Sequence, residues 1–229
     1  MESLRKTLLD FASAEMDNIK ANDTPLVSRM RDEALARFQD KGFPTRKMEH
    51  WRHSKIIENQ GITYNIKADR FSNSCHEFNC MIKDFDTEVI TIKNGVIADS
   101  DRFRTLGNGI IIGSTMEAMR RLPELFDRHF GKCHTDETNG FTDINTALWQ
   151  DGFFIYVPKN AVAEKPIQII KLIDSKSNPF IQTRNIVILE DNAELSIVDC
   201  DDTKCHQPSM INSYSETFIG RNAHLVTYK

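Results

Sequence analysis

The sequence predicts an α+β protein in which an N-terminal helical region is followed by a β-solenoid. Apolar residues recur at helical spacing over the first 60 residues, and short β-prone segments fill the last third. An Asn-Ala pair recurs in that last third at Asn160, Asn192 and Asn222, at intervals of 32 and 30 residues. A repeat of this length is typical of a solenoid whose coils stack on one another. The alternative is a two-sheet sandwich in which the Asn-Ala turns recur by coincidence.

Residues 1–60 predict two amphipathic helices. The apolar stripe of the first helix consists of Leu4, Leu8, Phe11, Ala12, Met16 and Ile19. Thr24 is a suitable cap for the second helix, and Pro25 fits its first helical position. The second stripe consists of Leu26, Met30, Ala34 and Phe38. This helix is expected to end at Gly42, and neither helix carries a catalytic signal.

Residues 61–145 predict a mixed α/β segment that packs on the solenoid. Asn-Gly favours a hairpin because both residues tolerate a positive φ, and a serine followed three positions later by glutamate favours a helix start. A proline ends a helix because it restricts the residue before it. The expected elements are a hairpin at Asn94-Gly95, a buried strand at Ile110–Ile112, a helix opened by Ser114 and Glu117, and a helix from Pro123 to Phe130.

Residues 146–229 predict the first coils of the solenoid. Asparagine accepts left-handed backbone geometry at each turn, and the alanine after it fits a tight corner. The sequence stops at Lys229, one residue after the β-prone segment Leu225–Tyr228, with no polar cap behind it. Because solenoids need capped ends, we expect the chain to be incomplete and to self-associate through the uncovered end.

Composition limits the class of protein. Of the 229 residues, 40% are hydrophobic and 27% are charged, and the formal charge is −4. This balance argues against broad nucleic-acid binding, which needs a dense basic surface. No apolar run approaches the roughly 20 residues that span a bilayer. The five scattered cysteines do not form a secreted disulfide framework. We therefore expect a cytoplasmic protein without nucleic-acid or membrane partners.

Two cysteine pairs with Cys-x₄-Cys spacing are the candidate metal ligands. They are Cys75 with Cys80, and Cys200 with Cys205, which His206 follows. A ferredoxin-like site would need another cysteine three positions on, where the sequence has Lys83 and Pro208. Buried or loop cysteines are the simpler interpretation. We therefore predict that the chain contains no metal-binding or cofactor-binding residue.

A basic stretch surrounds Trp51. It consists of Arg46, Lys47, His50, Arg52, His53 and Lys55. Interleaved aromatic and basic residues can bind nucleic acid, but a single short cluster in an acidic protein supports that function weakly. We expect Trp51 to anchor the segment to the core while the charges stay in water.

Two other segments resemble catalytic signatures superficially. Gly107–Gly113 lacks the Gly-Lys-Ser/Thr ending of a phosphate loop and is expected to be a turn into a buried strand. Asp199, Asp201 and Asp202 could serve a polysaccharide-acting enzyme built on a β-helix. Three acids in one loop are more typical of a solvated turn. We therefore predict no catalytic residue and no enzyme activity.

Three stretches together resemble the SufB/SufD family of iron–sulfur cluster assembly proteins. They are Gly42–Ser54 (GFPTRKMEHWRHS), Asn145–Ile169 (NTALWQDGFFIYVPK, continuing to EKPIQI) and Arg184–Leu195 (RNIVILEDNAEL). They span nearly the whole chain in the order found in the family. The first stretch is more similar to SufD than to SufB.

This resemblance implies the N-terminal part of a non-enzymatic scaffold subunit of a SufBCD-type complex, folded as a right-handed parallel β-helix that is truncated here. It implies a SufB-like partner and a SufC-like ABC ATPase, whose contact region lies beyond this sequence. The iron–sulfur cluster would be assembled with the SufB partner, and this chain would hold no cofactor of its own. The alternatives are a β-helix polysaccharide-acting enzyme and a stand-alone interaction domain.

Overall fold

The computed structural model describes residues 1–57, 61–66, 85–97, 102–133, 139–204 and 207–229. The helices within these residues are α1 (Glu2–Lys20), α2 (Pro25–Lys41), α3 (Thr115–Arg121), α4 (Pro123–His129) and α5 (Gly140–Leu148). The strands are β1 (Glu88–Lys93), β2 (Val96–Ile97), β3 (Phe103–Thr105), β4 (Ile111–Ser114), β5 (Phe153–Val157), β6 (Ile167–Ile173), β7 (Phe180–Leu189), β8 (Glu194–Thr203), β9 (Met210–Ile219) and β10 (His224–Tyr228).

The first four helices begin and end close to where the local sequence signals place them. The Thr24 hydroxyl accepts a hydrogen bond from the Val27 amide at the start of α2, and Gly42 ends that helix with a φ of 64°. The Ser114 hydroxyl accepts one from the Glu117 amide at the start of α3. The N-caps predicted at Thr24 and Ser114 and the helix end predicted at Gly42 are therefore confirmed.

The fifth helix, α5, is not among the predicted elements. The Asn139 side chain caps it by accepting hydrogen bonds from the amides of Phe141 and Thr142. All of its residues except Thr142 are buried. The helix has only nine residues, and four of them (Thr142, Asp143, Asn145 and Thr146) are polar, so its sequence is too short to show the repeated apolar stripe that revealed α1 and α2.

The strands form two five-stranded sheets. The first sheet has the order β10-β8-β6-β1-β2, and the second has the order β3-β4-β5-β7-β9. From β5 onward, successive strands alternate between the two sheets. Each of β7 to β10 pairs in parallel with the strand two places before it, and β6 pairs in parallel with β1. The pairs β1–β2, β3–β4 and β4–β5 are antiparallel.

The α+β class is confirmed, but the prediction of a right-handed parallel β-helix is wrong. The described strands form two mixed sheets, with antiparallel pairs in both, rather than a closed solenoid. The prediction depended on the spacing of the Asn-Ala turns. A spacing near 30 residues also arises when a chain passes between two facing sheets and returns, so the spacing alone does not distinguish the two folds.

The Asn-Ala turns themselves are real structural features. Asn160, Asn192 and Asn222 have φ values of 61°, 59° and 55°, as expected for asparagine in left-handed geometry. Their side chains form a ladder, in which the Asn192 amide donates to the Asn160 side-chain oxygen at 2.8 Å and the Asn222 amide donates to that of Asn192 at 3.3 Å. The turns therefore recur for a structural reason and not by coincidence.

Apolar side chains from the inner faces of both sheets form one core, which includes Ile90, Ile155 and Ile197. The outer face of the second sheet packs against the helices through two further clusters. Ile186 of β7 belongs to the cluster with α3 and α4, and Phe180 belongs to the cluster with α1, α2 and α5. Among the helices of the described residues, none is long and apolar enough to cross a membrane.

Candidate interaction surface

Each sheet has an edge strand on either side, and the edge strands on the two sides differ in length and in the type of pairing. On one side the edge strands are β2 and β3, which have two and three residues and belong to antiparallel hairpins. We call this side the hairpin end. On the other side the edge strands are β9 and β10, with ten and five residues, which we call the parallel end. Within the described residues, no strand pairs with the outer edge of β9 or β10.

The parallel end exposes apolar side chains. The exposed fractions are 43% for Ile211, 53% for Ile219, 44% for Val226 and 62% for Tyr228. These four are half of the large hydrophobic side chains that are exposed within the described residues. Unpaired backbone groups next to exposed apolar side chains are typical of a surface that further polypeptide covers.

Polar side chains continue this surface into the space between the sheets. Ser213 and Ser215 lie on the same face of β9 as Ile211, because side chains alternate along a strand. The Asn185 amide on β7 donates hydrogen bonds to the hydroxyls of both serines at 3.0 Å. The Thr183 hydroxyl donates to the Ser213 hydroxyl at 2.9 Å. The inner face of β9 therefore combines apolar and hydroxyl groups.

A cluster of ion pairs lies on the first sheet, near the C-terminal ends of β6 and β8. The Lys171 ammonium lies 2.8 Å from an Asp199 carboxylate oxygen and 3.1 Å from one of Asp201, which also pairs with Lys229 at 3.4 Å. Burial alone would lower the pKa of Lys171, but its two aspartate partners raise it. Partial burial would raise the pKa of Asp201, but Lys171 and Lys229 lower it overall. The acids at Asp199 and Asp201 are therefore members of an ion-pair cluster, and the Asp202 carboxylate accepts a hydrogen bond from the Thr203 amide.

A buried ion pair anchors β9 to the rest of the molecule. The Arg184 and Glu216 side chains are both 0% exposed, and the Arg184 Nε donates to Glu216 Oε2 at 3.0 Å. The same carboxylate accepts hydrogen bonds from the amides of Gly131 and Cys133, at 3.0 and 3.1 Å. The Arg184 guanidinium also lies 4.0 Å from the centre of the Tyr214 ring. The outer face of β9 is thus fixed, while its edge and inner face stay accessible.

Sequence reasoning missed this ion pair. The only available signal was an arginine directly before the β-prone segment Asn185–Leu189. A charge next to a buried strand indicates a buried partner, but Glu216 lies 32 positions away and nothing in the sequence identifies it. Arg31, which bonds Asp23 at 2.8 Å and the carbonyl of Trp149 at 3.1 Å inside the helical layer, was missed for the same reason.

Of the four candidate cysteines, Cys200 is the one that lies within the described residues. Cys200 is half-buried on β8, where its sulfur accepts a hydrogen bond from the Gln168 amide at 3.7 Å. Cys75, Cys80, Cys205 and His206 lie outside the described residues. Among the residues that are described, no three His, Cys, Asp or Glu side chains are grouped to hold a metal ion. The absence of a metal-binding residue remains a prediction.

The two remaining sequence candidates have structural roles. Gly107–Gly109 is a short turn that leads into β4, as predicted, and it borders a pocket of about 160 Å³ lined by Glu88, Glu164 and Lys165 among others. Carboxylates on the wall of so small a pocket do not favour phosphate binding. Trp51 stacks on Phe141 with ring centres 5.3 Å apart, while the basic side chains around it are exposed. The anchoring role predicted for Trp51 is confirmed.

Comparisons with known proteins all point to the same family. A family described as the SufBD protein N-terminal region matches residues 2–169. Relatives named iron-sulfur cluster assembly SufBD family protein occur in Staphylococcus saprophyticus, Staphylococcus haemolyticus and Staphylococcus epidermidis. Each is 30% identical over 118 residues, which cover 51% of this chain but only 25% of the relative. Since the family match covers well over half of the sequence, this chain belongs to the SufBD family.

Proposed function

We propose that this chain acts in iron–sulfur cluster assembly as a scaffold subunit, which contributes a protein-binding surface rather than a reacting group. The observation that carries the proposal is the parallel end, where two adjacent strand edges lie beside four exposed apolar side chains. The family and the names of its relatives indicate the process, which is iron–sulfur cluster assembly. The metal cluster itself would be cargo built in the complex.

The parallel end suits the addition of strands from a partner. An edge strand presents a row of backbone donors and acceptors, so an incoming strand gains main-chain hydrogen bonds while its side chains meet the neighbouring pockets. The β9 edge is ten residues long, which is long for a strand edge. The buried pair of Arg184 and Glu216 holds β9 in place, so little ordering of this strand would be required on binding.

In this proposal the partner at the parallel end is a SufB-like subunit, and a SufC-like ABC ATPase joins the same cytoplasmic complex. The resemblance of Gly42–Ser54 to SufD supports a SufD-like role for the chain rather than a SufB-like one. The ion pairs that Lys171 makes with Asp199 and Asp201 support a non-enzymatic role, because they engage two of the three acids that a polysaccharide-acting enzyme could use. We expect neither ATP hydrolysis nor polysaccharide cleavage.

Co-purification tests this proposal. The chain would be co-expressed with the SufB-like and SufC-like proteins of its own organism, and the complex would be isolated through a tag on the SufB-like subunit. We expect the unaltered chain to be retained, and a chain with Ile219→Lys and Val226→Lys to be lost. A chain with Thr105→Lys, on an exposed residue of the hairpin end, is the matched control and should be retained.

Two outcomes would contradict the proposal. Retention of the double variant at the wild-type level would remove the parallel end from the interface. Failure of the unaltered chain to join any such complex, together with normal iron–sulfur enzyme activities in cells that lack it, would remove the scaffold role.

A further inference from the structure

A second exposed surface lies in the segment that follows α2. Residues 46–57, which we call the basic segment, form a series of tight turns, including two 3₁₀ turns at Glu49–Trp51 and Lys55–Ile57. The Trp51 amide donates to the Met48 carbonyl at 3.0 Å, and the Ser54 amide donates to the Trp51 carbonyl at 3.1 Å. The backbone is thus shaped by its own short-range hydrogen bonds. The stacking of Trp51 on Phe141 attaches the segment to the helical core.

The basic segment is a positive surface on a negative molecule. Its positive side chains, Arg46, Lys47, Arg52 and Lys55, outnumber its one carboxylate, that of Glu49. The segment therefore has a formal charge of +3, whereas the whole chain has −4. All of these charged side chains are exposed, as are His50 and His53. A local charge opposite to the net charge attracts an acidic partner to this place in preference to the rest of the surface.

Two large apolar side chains are exposed among these charges. Met48 is 49% exposed and Ile56 is 47% exposed. A loop that is merely solvated requires no apolar side chain, whereas protein interfaces combine apolar anchors with a polar rim. Methionine is well suited to such an anchor because its flexible side chain adapts to different apolar surfaces.

We propose that the basic segment is a docking site for an acidic amphipathic helix of a partner protein. Carboxylates on the helix would pair with Arg46, Lys47, Arg52 and Lys55, and its apolar residues would cover Met48 and Ile56. Arginine can hold a carboxylate through two parallel hydrogen bonds, which gives the contact orientation as well as affinity. This surface uses residues other than those of the parallel end, so it provides a second binding site on the same chain.

The chemistry of the segment favours an acidic protein over single-stranded nucleic acid or an anionic membrane. Single-stranded nucleic acid binds to basic grooves that offer aromatic faces for stacking, and here the Trp51 ring is stacked on Phe141. Anionic membranes are bound by amphipathic helices, and by clusters of about four to eight basic residues that lie on such a helix or beside a membrane-spanning helix. The basic segment consists of turns and includes Glu49 among its cations.

A peptide-binding measurement on the full chain tests this proposal. The probe is a fluorescein-labelled helical peptide that is rich in glutamate and has two leucines on one face, and binding is followed by fluorescence anisotropy. We expect Lys47→Glu with Arg52→Glu to weaken binding about tenfold, and Met48→Ser with Ile56→Ser to weaken it about threefold. Raising the salt concentration from about 50 mM to about 500 mM should also weaken binding, because the charges are exposed.

The control and the probes separate the possible outcomes. Lys6→Glu with Lys132→Glu makes the same change in net charge at two exposed lysines elsewhere and should leave binding unchanged. An equal loss of binding in this control would show non-specific attraction and overturn the proposal. Tighter binding to single-stranded DNA or to phosphatidylserine vesicles than to the peptide, abolished by Lys47→Glu with Arg52→Glu, would overturn it in favour of that ligand.

Discussion

The hairpin end and the parallel end are built by different kinds of strand pairing. At the hairpin end, paired residues are close in sequence, since Ile92 pairs with Ile97 and Phe103 with Gly113. At the parallel end, the pairs are 30 residues apart, as in Leu195 with Leu225. The hairpin end is therefore specified by local turn chemistry, and the parallel end depends on side chains that meet across the fold.

The contacts at each end follow this difference. At the hairpin end, Asn94 and Gly95 have φ values of 49° and 84°. The Asn94 side chain fixes the turn by donating to the Asp174 carbonyl at 2.7 Å and accepting from its amide at 2.8 Å. At the parallel end, the buried pair of Arg184 and Glu216 holds β9 against the helices. Substitutions that disturb the turn geometry should therefore destabilise the hairpin end. Substitutions that remove a buried side-chain contact should destabilise the parallel end.

The largest expected effect is at the anchor of the parallel end. Arg184→Met would leave the Glu216 carboxylate buried without its cation, which costs about 3–5 kcal/mol of unfolding free energy. Urea denaturation followed by circular dichroism measures this loss. The control is Arg221→Met, which breaks the exposed pair with Asp191 and should leave the midpoint nearly unchanged. Equal midpoints for the two variants would show that the buried pair does not anchor β9.

The hairpin end should be sensitive at its turn glycine. Gly95→Ala places a side chain at a positive φ, with its Cβ 2.5 Å from Cγ2 of Ile181. We expect a loss of about 1–3 kcal/mol in the same denaturation experiment. Gly107→Ala is the matched control, since its Cβ would meet no atom within 4 Å. A loss of similar size in the control would mean that neither the turn geometry nor the contact with Ile181 explains the effect.

Self-association should distinguish the two ends without a change in folding. The apolar side chains at Ile219 and Val226 are exposed, so we expect the isolated chain to associate through the parallel end as its concentration rises. Ile219→Lys with Val226→Lys should shift sedimentation towards the monomer and change stability by less than about 0.5 kcal/mol. Thr105→Lys at the hairpin end should leave the sedimentation of the chain unchanged. A monomeric wild-type chain at high concentration would contradict this prediction.

The smallest expected effect concerns acid stability at the ion-pair cluster. The pKa of Asp201 is lower in the folded chain than in the unfolded one, so its contribution is present above about pH 4 and is lost as the pH falls through the folded value. Asp201→Asn should reduce stability at neutral pH by less than about 1 kcal/mol, because this side chain is 45% exposed and screened by water. The difference from wild type should shrink as the pH falls below the ordinary aspartate pKa of about 3.9, and it should disappear once the folded carboxyl group is protonated. A difference that persisted at low pH would indicate a packing effect instead of a charge effect.

The sequence was informative where the structure is locally determined. The Asn94-Gly95 hairpin and the caps at Thr24 and Ser114 follow from residues a few positions apart, and all are present. The β-helix prediction failed because the turn spacing describes how often the chain returns, but not which strands it joins. The partners Arg184 and Glu216 were missed because their contact depends on the pairing of β7 with β9, which no local pattern encodes.

The spacing of the paired residues also orders the folding reaction. Closing a loop costs more entropy as the loop lengthens, so the hairpin at Asn94-Gly95 can form before any parallel pair. Each strand pair that leads to the parallel end, such as β7 with β9, must instead close a loop of about 30 residues. In stopped-flow experiments, Ile97→Ala should therefore slow refolding, whereas Phe218→Ala should mainly accelerate unfolding. The surface proposed to receive a partner would then become ordered later than the Asn94-Gly95 hairpin, so its appearance would report that strands distant in sequence have paired.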